Sequence, residues 1–378
     1  MSRSIFLVDT FYLSVLHTQG IDKVLATGKR YDDVLREALD FGFGTGGAYL
    51  RALRELGWDA QLVIANSLGL QDLWMRERHL RKAWSGGWEF GPHLARLPLA
   101  NAVLHRFPHL HRVLFEQIKA AKPDVVMVQD LNLIPPGLAR AIRKHTGLLV
   151  GEIASPLPPK PFLMSYHLIV SALPSIVETV TGWGIPATSI PLGFDDRWAA
   201  PGPASARPID AIFIGSFSRL QPQTTPLLKE VSKTVPGLRI YGPASPQVLR
   251  DAGLSEFYHG QAWGRDMFAL LGQSKLVVNR HGRIAGPYAV NMRMYEATGS
   301  GAALITEQKA NLADLFTPGE EVLTYTDAAD AAQQAAGILA DPTRLDRVAA
   351  AGQARTLREH TYRQRAETLT EVIAQRLG

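Results

Sequence analysis

The stretch KLVVNRHGRIAGPYAVNMRMYEATGSGAALITE, residues 275–307, decides the fold expected for this chain. It opens with a short apolar run, Lys275–Asn279, and closes with a second one, Ala302–Ile305. Between them, Asn291–Thr298 has the apolar spacing of a helix, and Gly299 provides a C-terminal stop. The stretch therefore predicts a buried strand, a polar loop, a short helix and a second buried strand.

Polar residues gather where the two predicted strands end. Asn279–Arg283 follow the first strand, and Thr306 and Glu307 follow the second. In an open α/β sheet, ligands bind at the carboxyl ends of the strands and near helix N-termini. We therefore expect a ligand site at this edge of the sheet.

The rest of the chain alternates predicted strands and helices, which indicates parallel, doubly wound α/β sheets. The first half begins with a strand at Ser4–Val8 and has a second buried strand at Asp124–Val128. A stretch rich in Pro, Ala and Gly, Asp195–Pro208, interrupts the pattern before a second series starts at Ile209. A chain of 378 residues is also long for a single core.

The expected fold class is thus α/β, with two Rossmann-like domains facing a cleft. The first domain would cover residues 1–195, a linker 196–208, and the second domain 209–362. Small-molecule sites favour such domain interfaces.

Composition excludes several classes of protein. The absence of cysteine rules out disulfides, thiolate metal sites and a cysteine nucleophile, and it fits a cytoplasmic protein. No window approaches the ~20 apolar residues of a membrane helix, and Met1–Thr10 does not have the pattern of a secretory signal. The net charge of +5 favours anionic ligands in general, without indicating nucleic acid.

Four motifs of the second half follow one another in a recognisable order. They are NRHG (279–282), VNMRMYEATGSGAALITE (290–307), DLFTPGEEV (314–322) and HTYRQRAETL (360–369). This string resembles the CgeB-like (spore-maturation-protein-like) branch of the group-1 glycosyltransferases, which have the GT-B architecture. The resemblance implies a transferase that moves a sugar from a nucleoside-diphosphate sugar to an acceptor. The C-terminal domain would bind the donor, the N-terminal domain the acceptor, and a terminal helix, 363–378, would cross back to the N-terminal domain.

The resemblance also assigns a role to Glu296. In related enzymes this glutamate accepts hydrogen bonds from the ribose hydroxyls of the donor, a task that suits a carboxylate. The alternative is a salt bridge to Arg293, three residues earlier on the helix. The chain departs from the family pattern at Tyr288, since relatives often carry an acid at this position, eight residues before the glutamate.

Cationic side chains lie where a nucleoside diphosphate would leave. Arg280 and His281, next to Asn279, are candidates to neutralise the diphosphate, and the alternative is a solvated basic loop that includes Arg283. Arg293 lies in the first helical turn, where a cation opposes the helix dipole unless a phosphate or Glu296 offsets it.

Further candidates for the donor site lie on other predicted loops. Gly215 and Ser216 follow the first strand of the second domain, where a turn of small residues lets backbone N–H groups approach phosphate. Trp263 is a candidate to stack on the base, or else a core residue. The remaining candidates for the donor or the cleft are Arg219, His259, Asn291 and Glu307.

The candidates for the catalytic groups are Asp9, Asp130 and His281. Asp9 and Asp130 end strands of the first domain, so either is a candidate for the base that takes the proton of the acceptor hydroxyl. Each is equally a candidate to cap the turn that follows it. The sequence leaves this choice open.

Cofactors and partners are expected to be few. No Asp-x-Asp pair of the kind that holds a metal on a donor diphosphate is present, so we expect metal independence. The acceptor, whether a glycan, a small molecule or a protein, is not indicated. The basic, Trp-rich region 71–119 suggests a sugar or anionic acceptor, or weak peripheral contact with a membrane, and its alternative is an ordinary amphipathic helix. Nucleic acid is not expected.

Two other functions remain open at this point. A sugar-nucleotide epimerase of the same fold would convert the donor alone, without an acceptor. A non-catalytic nucleotide-sugar binding protein is the second alternative, and Tyr288 keeps it open.

Overall fold

The computed structural model describes residues 3–80, 108–216 and 223–377. The chain divides into two compact units. Unit 1 comprises residues 1–190 together with 366–378, and unit 2 comprises residues 191–365.

Unit 1 is built on a parallel sheet with the order β2-β1-β3-β4-β5-β6. Each central strand is a short run of buried apolar residues, as expected for a parallel sheet covered on both faces. The strands are β1 (Ser4–Asp9), β2 (Asp59–Ile64), β3 (Val125–Val128), β4 (Leu148–Glu152), β5 (Leu168–Ser171) and β6 (Ala187–Ser189).

Helices connect the strands of unit 1. The helix Leu68–Glu77 begins after Ser67, whose Oγ accepts a hydrogen bond from the N–H of Leu70. The helices are α1 (Leu13–Thr18), α2 (Tyr31–Asp40), α3 (Gly46–Glu55), α4 (Leu68–Glu77), α5 (Pro108–Ala121), α6 (Pro136–Arg143) and α7 (Pro174–Gly182).

Unit 2 has a second parallel sheet, with the order β11-β10-β9-β7-β8. Its strands are β7 (Ile209–Ile214), β8 (Leu238–Tyr241), β9 (Ser274–Val278), β10 (Ala303–Glu307) and β11 (Leu323–Tyr325). Its helices are α8 (Thr224–Thr234), α9 (Pro246–Ala252), α10 (Gly264–Gly272), α11 (Met292–Gly299), α12 (Leu312–Leu315), α13 (Ala328–Leu339) and α14 (Pro342–Glu359). The two parallel sheets confirm the predicted fold class.

The opening stretch of the sequence forms the strand, loop, helix and strand that its pattern predicts. β9 and β10 are neighbours, and Val278 pairs with Ile305. Between them, α11 starts after Asn291, whose side chain accepts a hydrogen bond from the N–H of Arg293. Strand ends and a helix N-terminus therefore meet at one edge of the unit 2 sheet.

The chain passes between the units earlier than the sequence suggests. Unit 2 starts at Pro191, so the stretch interpreted as a linker, 196–208, lies inside unit 2, where Ala204 and Arg207 are buried. A last helix, α15 (Tyr362–Leu377), begins in unit 2 and belongs to unit 1 from Ala366 onward.

Candidate functional site

The residues that follow β9 hold one another in place. The side-chain amide of Asn279 donates to Thr306 Oγ1 (2.9 Å), and the backbone carbonyl of Asn279 accepts from the hydroxyl of Tyr325 (2.8 Å). Asn279 is buried and therefore shapes the loop, because its amide is already engaged by neighbouring strands.

His281 is fixed between the same strands. Its Nε2 lies 3.1 Å from Thr306 Oγ1, and its backbone N–H donates to Glu307 Oε2 (2.8 Å). Burial, with the charge of Lys309 as the next cause, lowers the pKa of His281 to about 4. At neutral pH the imidazole is thus uncharged, so it is suited to hydrogen bonding and not to the cationic role that the sequence suggested.

Arg280 is the cation of this loop. Its Nη2 donates to Gln223 Oε1 (3.2 Å) at the start of α8, and its carbonyl accepts from the Asn291 side chain (2.9 Å). The guanidinium is therefore held beside the start of α8, while the backbone of Arg280 is tied to the start of α11, and a cation beside a helix N-terminus favours an anion. Arg283, further along the loop, is exposed.

Arg293 and Glu296 form an ion pair, with Arg293 Nη1 2.7 Å from Glu296 Oε2. Arg293 also donates to the carbonyl of Ile214 at the end of β7 (3.2 Å). Burial raises the pKa of Glu296, and Arg293 opposes that shift. The salt bridge weighed as the alternative role of Glu296 is thus present, and it holds the carboxylate at the end of β7.

The turn after β7 is made of small residues in close contact. The N–H of Gly215 donates to the carbonyl of Tyr241 (3.0 Å). Gly242 has a φ of +133°, and a Cβ there would lie 2.0 Å from the carbonyl oxygen of Gly215. Only glycine fits at 242. Ser216, which follows Gly215, is exposed, and Arg219 lies outside the described residues.

Aromatic candidates for base stacking lie at the end of β8 and after it. The rings of Tyr241 and the exposed His259 are stacked with centroids 5.6 Å apart. Trp263 is half-buried directly before α10, and its Nε1 donates to Gln261 Oε1 (3.2 Å). These rings offer flat faces outside the main core.

Tyr288 and Glu307 border the loop between β9 and α11. Tyr288 is half-buried, and its N–H donates to the carbonyl of Ala285 (3.0 Å). Lys309 donates to the carbonyl of Gly286 (3.2 Å), and its Nζ lies 3.9 Å from Glu307 Oε2. A cavity of about 540 Å³ opens here, lined by Pro287, Gln308, Lys309, Ala310, Leu312, Ala313 and Pro318.

A second group of polar residues ends the strands of unit 1. Asp9 is only 6% exposed, and its Oδ1 accepts from the N–H of Thr10 (2.7 Å). The hydroxyl of Thr10 donates to Oδ2 of the half-buried Asp130 (3.3 Å). Both predicted aspartates therefore lie at one edge, joined by a threonine.

Two residues of this edge were not predicted as part of a site. Gln129 directly follows β3, and Glu152 is the last residue of β4. Gln129 Nε2 donates to Glu152 Oε2 (2.8 Å). Their positions directly after apolar runs were the available signal, since polar residues at strand ends repeatedly mark such edges.

Two absences concern the described residues alone. In residues 3–80, 108–216 and 223–377, no three His, Asp or Glu side chains are grouped so that they would hold a metal ion. Within the same ranges, no helix is both long and apolar enough to cross a membrane.

Comparison with known families identifies the second half of the chain. Residues 223–371 match the model of a family described as glycosyl transferase-like. This segment is glycosyl transferase-like. It contains the loop after β9, α11 and β10, so the residues gathered at the edge of the unit 2 sheet belong to the matched part. No curated protein sequence matches the chain.

Solved glycosyltransferases share the fold over nearly the whole chain. Sucrose-phosphate synthase from Thermosynechococcus elongatus is similar with 15% identity and a TM-score of 0.61, covering 99% of this chain and 98% of that one. Anabaena HepE, solved in complex with UDP-glucose, has 12% identity and a TM-score of 0.64, with 98% and 99% covered. AviGT4, a glycosyltransferase involved in avilamycin A biosynthesis, has 17% identity and a TM-score of 0.56, with 99% and 98% covered.

The similarity to solved structures confirms the predicted GT-B fold. The family match adds that residues 223–371 are glycosyl transferase-like. The CgeB-like branch stays a prediction, as do the roles of the individual site residues.

Proposed function

We propose that this protein is a glycosyltransferase that moves a sugar from a nucleoside-diphosphate sugar, bound by unit 2, to an acceptor bound by unit 1. The observation that carries the proposal is the edge of the unit 2 sheet. There, Arg280, the Arg293–Glu296 pair and the neutral His281 lie at strand ends and a helix N-terminus within the family-matched segment.

Each group of this edge has a role that its chemistry supports. Arg280 and Arg293 offer guanidinium groups to the diphosphate, which carries negative charge away from the sugar as the bond breaks. Glu296 accepts from the ribose hydroxyls through the oxygen that does not face Arg293. His281 lies 3.1 Å from Thr306 Oγ1 and supports the loop without adding a charge.

Stacking and sugar contacts complete the proposed donor site. Tyr241 and His259 present stacked rings, and the half-buried Trp263 lies nearby in sequence. One of these faces would receive the nucleobase, because aromatic faces bind planar rings without demanding one hydrogen-bond pattern. Tyr288 and Glu307 are the chain neighbours of Pro287 and Gln308, which line the cavity together with Lys309, and they would contact the donor sugar.

Of the two candidate bases in unit 1, we assign the role to Asp130. Asp9 is buried, and its Oδ2 is enclosed, whereas Asp130 is half-buried. A base must come within hydrogen-bond reach of the hydroxyl it deprotonates. Tyr12 and Leu13, which follow Asp9 and Thr10 in the chain, have exposed side chains. They offer an apolar surface against which an acceptor ring would pack.

The decisive experiment is calorimetric titration of the full chain with UDP, ADP and GDP, followed by turnover of the corresponding glucose donors. We choose UDP-glucose as the first probe because HepE was solved with it. We expect one nucleoside diphosphate to bind more tightly than the other two. Absence of binding by all three at millimolar concentration would remove the proposed donor site.

Turnover separates the proposal from its alternatives. Release of UDP that increases when alkyl glycosides are added indicates transfer, whereas conversion of UDP-glucose alone to an epimer indicates an isomerase. Tight binding with neither reaction indicates a binding protein. We also propose metal independence, so the rate in excess EDTA is expected to equal the rate in added Mg²⁺, and a loss of rate in EDTA would contradict it.

A further inference from the structure

Three neighbouring strands of unit 1 place polar side chains side by side. β1 pairs with β3, and β3 pairs with β4, so that Val8 is opposite Val128 and Val128 is opposite Gly151. One residue further along each strand come Asp9, Gln129 and Glu152. Residues in register point to the same face, and this row is therefore continuous.

The amide of Gln129 links this row. Its Nε2 lies 2.8 Å from Glu152 Oε2 and 2.8 Å from Thr45 Oγ1, so both amide hydrogens have an acceptor. This orientation directs Gln129 Oε1 away from Glu152. Oε1 is buried and makes no hydrogen bond.

Gly46 shows where that oxygen points. A Cβ at Gly46 would lie 2.3 Å from Asp9 Oδ2 and 2.8 Å from Gln129 Oε1, so the two oxygens converge on the same point. Asp9 Oδ2 is also buried and faces the Gly46 backbone without a well-formed hydrogen bond. The Gly46 N–H faces Asp9, whereas Gln129 Oε1 has no donor, and a proton on Asp9 Oδ2 would supply one.

The electrostatics agree with a proton at this place. Burial, with the neighbouring carboxylates of Glu152 and then Asp130, raises the pKa of Asp9 to about 7, against the opposing N–H groups of Thr10 and Gly46. Burial also raises the pKa of Glu152. Among the described residues, no lysine or arginine pairs with Asp9, Asp130 or Glu152.

Asp9 reaches the surface through Thr10. The N–H of Thr10 donates to Asp9 Oδ1 (2.7 Å), and its hydroxyl donates to Asp130 Oδ2 (3.3 Å). The other oxygen of Asp130 accepts from the N–H of Asn132 (3.1 Å). A change of charge on Asp9 is thus passed to Asp130 across one residue.

We propose that Asp9, Gln129 and Glu152 are positioning residues for Asp130: they share one buried proton and act on the proton-accepting carboxylate through Thr10. This rests on the proposed function, in which Asp130 is the base. When Asp9 loses its proton, a second negative charge faces Asp130 and strengthens it as a proton acceptor. Among the described residues, Tyr166 also faces this edge, and its pKa is raised by burial and by Asp130.

The transfer step balances with this assignment. Asp130 takes the proton of the acceptor hydroxyl while the hydroxyl oxygen bonds to the anomeric carbon of the sugar. The bond from that carbon to the diphosphate breaks, and its electron pair leaves with the nucleoside diphosphate. Asp130 then returns the proton to water.

The test compares Glu152→Gln with Asp130→Asn, since each removes one negative neighbour of Asp9. Carbon-13 NMR of protein labelled at the Asp side-chain carboxyls, assigned by difference with Asp9→Asn, follows the titration of Asp9 directly. We expect the Asp9 midpoint near 7 in the wild type. Glu152→Gln should lower it by about half a pH unit or more, and Asp130→Asn by less, in keeping with the order of their effects. A wild-type midpoint near 4, or a larger shift in Asp130→Asn, would overturn the proposal.

Activity provides the second measurement, with UDP release from UDP-glucose as the probe reaction. Asp130→Asn should lose at least a hundredfold in rate, whereas Asp9→Asn should retain turnover but lose the rise in rate around pH 7. Complete loss of turnover in Asp9→Asn, with UDP binding intact, would make Asp9 the base and refute its role as a positioning residue. Failure of the donor site itself appears separately, as absent UDP binding in a protein whose Asp9 titrates normally.

Discussion

Replacement of Glu296 by glutamine tests the donor site most directly. The variant keeps the size of the side chain and removes the charge that Arg293 Nη1 contacts at 2.7 Å. The two side chains are 15% and 8% exposed, so solvent screens the pair little. A hydrogen bond to a charged group contributes about 1.5–3 kcal/mol, which predicts a ten- to hundredfold loss of UDP affinity.

The same variant should cost some stability. Breaking a buried ion pair costs about 3–5 kcal/mol when the remaining charge has no partner. Arg293 keeps the carbonyl of Ile214, and burial already raises the pKa of Glu296, so the carboxylate itself is costly to bury. We therefore expect a loss of about 1–3 kcal/mol in the free energy of unfolding.

A matched control lies on α8. Lys233 and Glu230 form an ion pair with the same three-residue spacing and the same distance of 2.7 Å, but they are 61% and 37% exposed. Glu230→Gln should change stability by about 0.5 kcal/mol or less and leave UDP affinity unaltered. Calorimetric titration with UDP and thermal unfolding measure both quantities. A folded Glu296→Gln protein with wild-type UDP affinity would refute the proposed ribose contact.

Further predictions concern packing and pH. Gly299→Ala should lower the free energy of unfolding by about 1–3 kcal/mol, because its Cβ would lie 2.4 Å from the ring of Phe194. Gly337→Ala, with open space around it, should instead stabilise the protein by about 0.4–1 kcal/mol. Equal melting temperatures of the two variants would contradict this prediction. Because the pKa of Asp9 is higher in the folded protein, its contribution to stability is present below pH 4 and is lost as the pH rises to about 7, by at most about 4 kcal/mol. Asp9→Asn should abolish that loss in chemical denaturation at several pH values. The contribution of His281 to stability depends on pH in the opposite direction. Because its pKa is lowered in the folded protein, stability is lost as the pH falls from about 6.5 through 4, and His281→Gln should reduce this loss at acidic pH.

The fold could be predicted because its signals are local. The apolar runs at β1, β3 and β9 and the caps around α11 are each contained within a few residues, and their alternation predicts parallel sheets. The unit boundary could not be found in this way. The Pro- and Ala-rich stretch after Asp195 reads as a linker, but tertiary packing buries Ala204 and Arg207 within unit 2.

The site was predictable in part for the same reason. Asn279 belongs to the first of the four motifs, and Arg293 and Glu296 belong to the second, so the resemblance names all three. The positions of Gln129 and Glu152 at strand ends are visible in the sequence, but their contact with each other and their place beside Asp9 depend on the pairing of β1, β3 and β4. The neutrality of His281 depends on its burial, which no local pattern reports.

The last helix, α15, has a consequence for the order of folding during synthesis. Unit 2 is one continuous stretch, whereas unit 1 needs residues beyond Arg365 in addition to the first 190. A Cβ at Gly147 would come within 3.4 Å of Leu377, so the end of α15 packs on the start of β4. Domains usually become complete in the order in which the ribosome makes them. Here the unit that is made first is completed last, and its sheet emerges from the ribosome long before the helix that closes it.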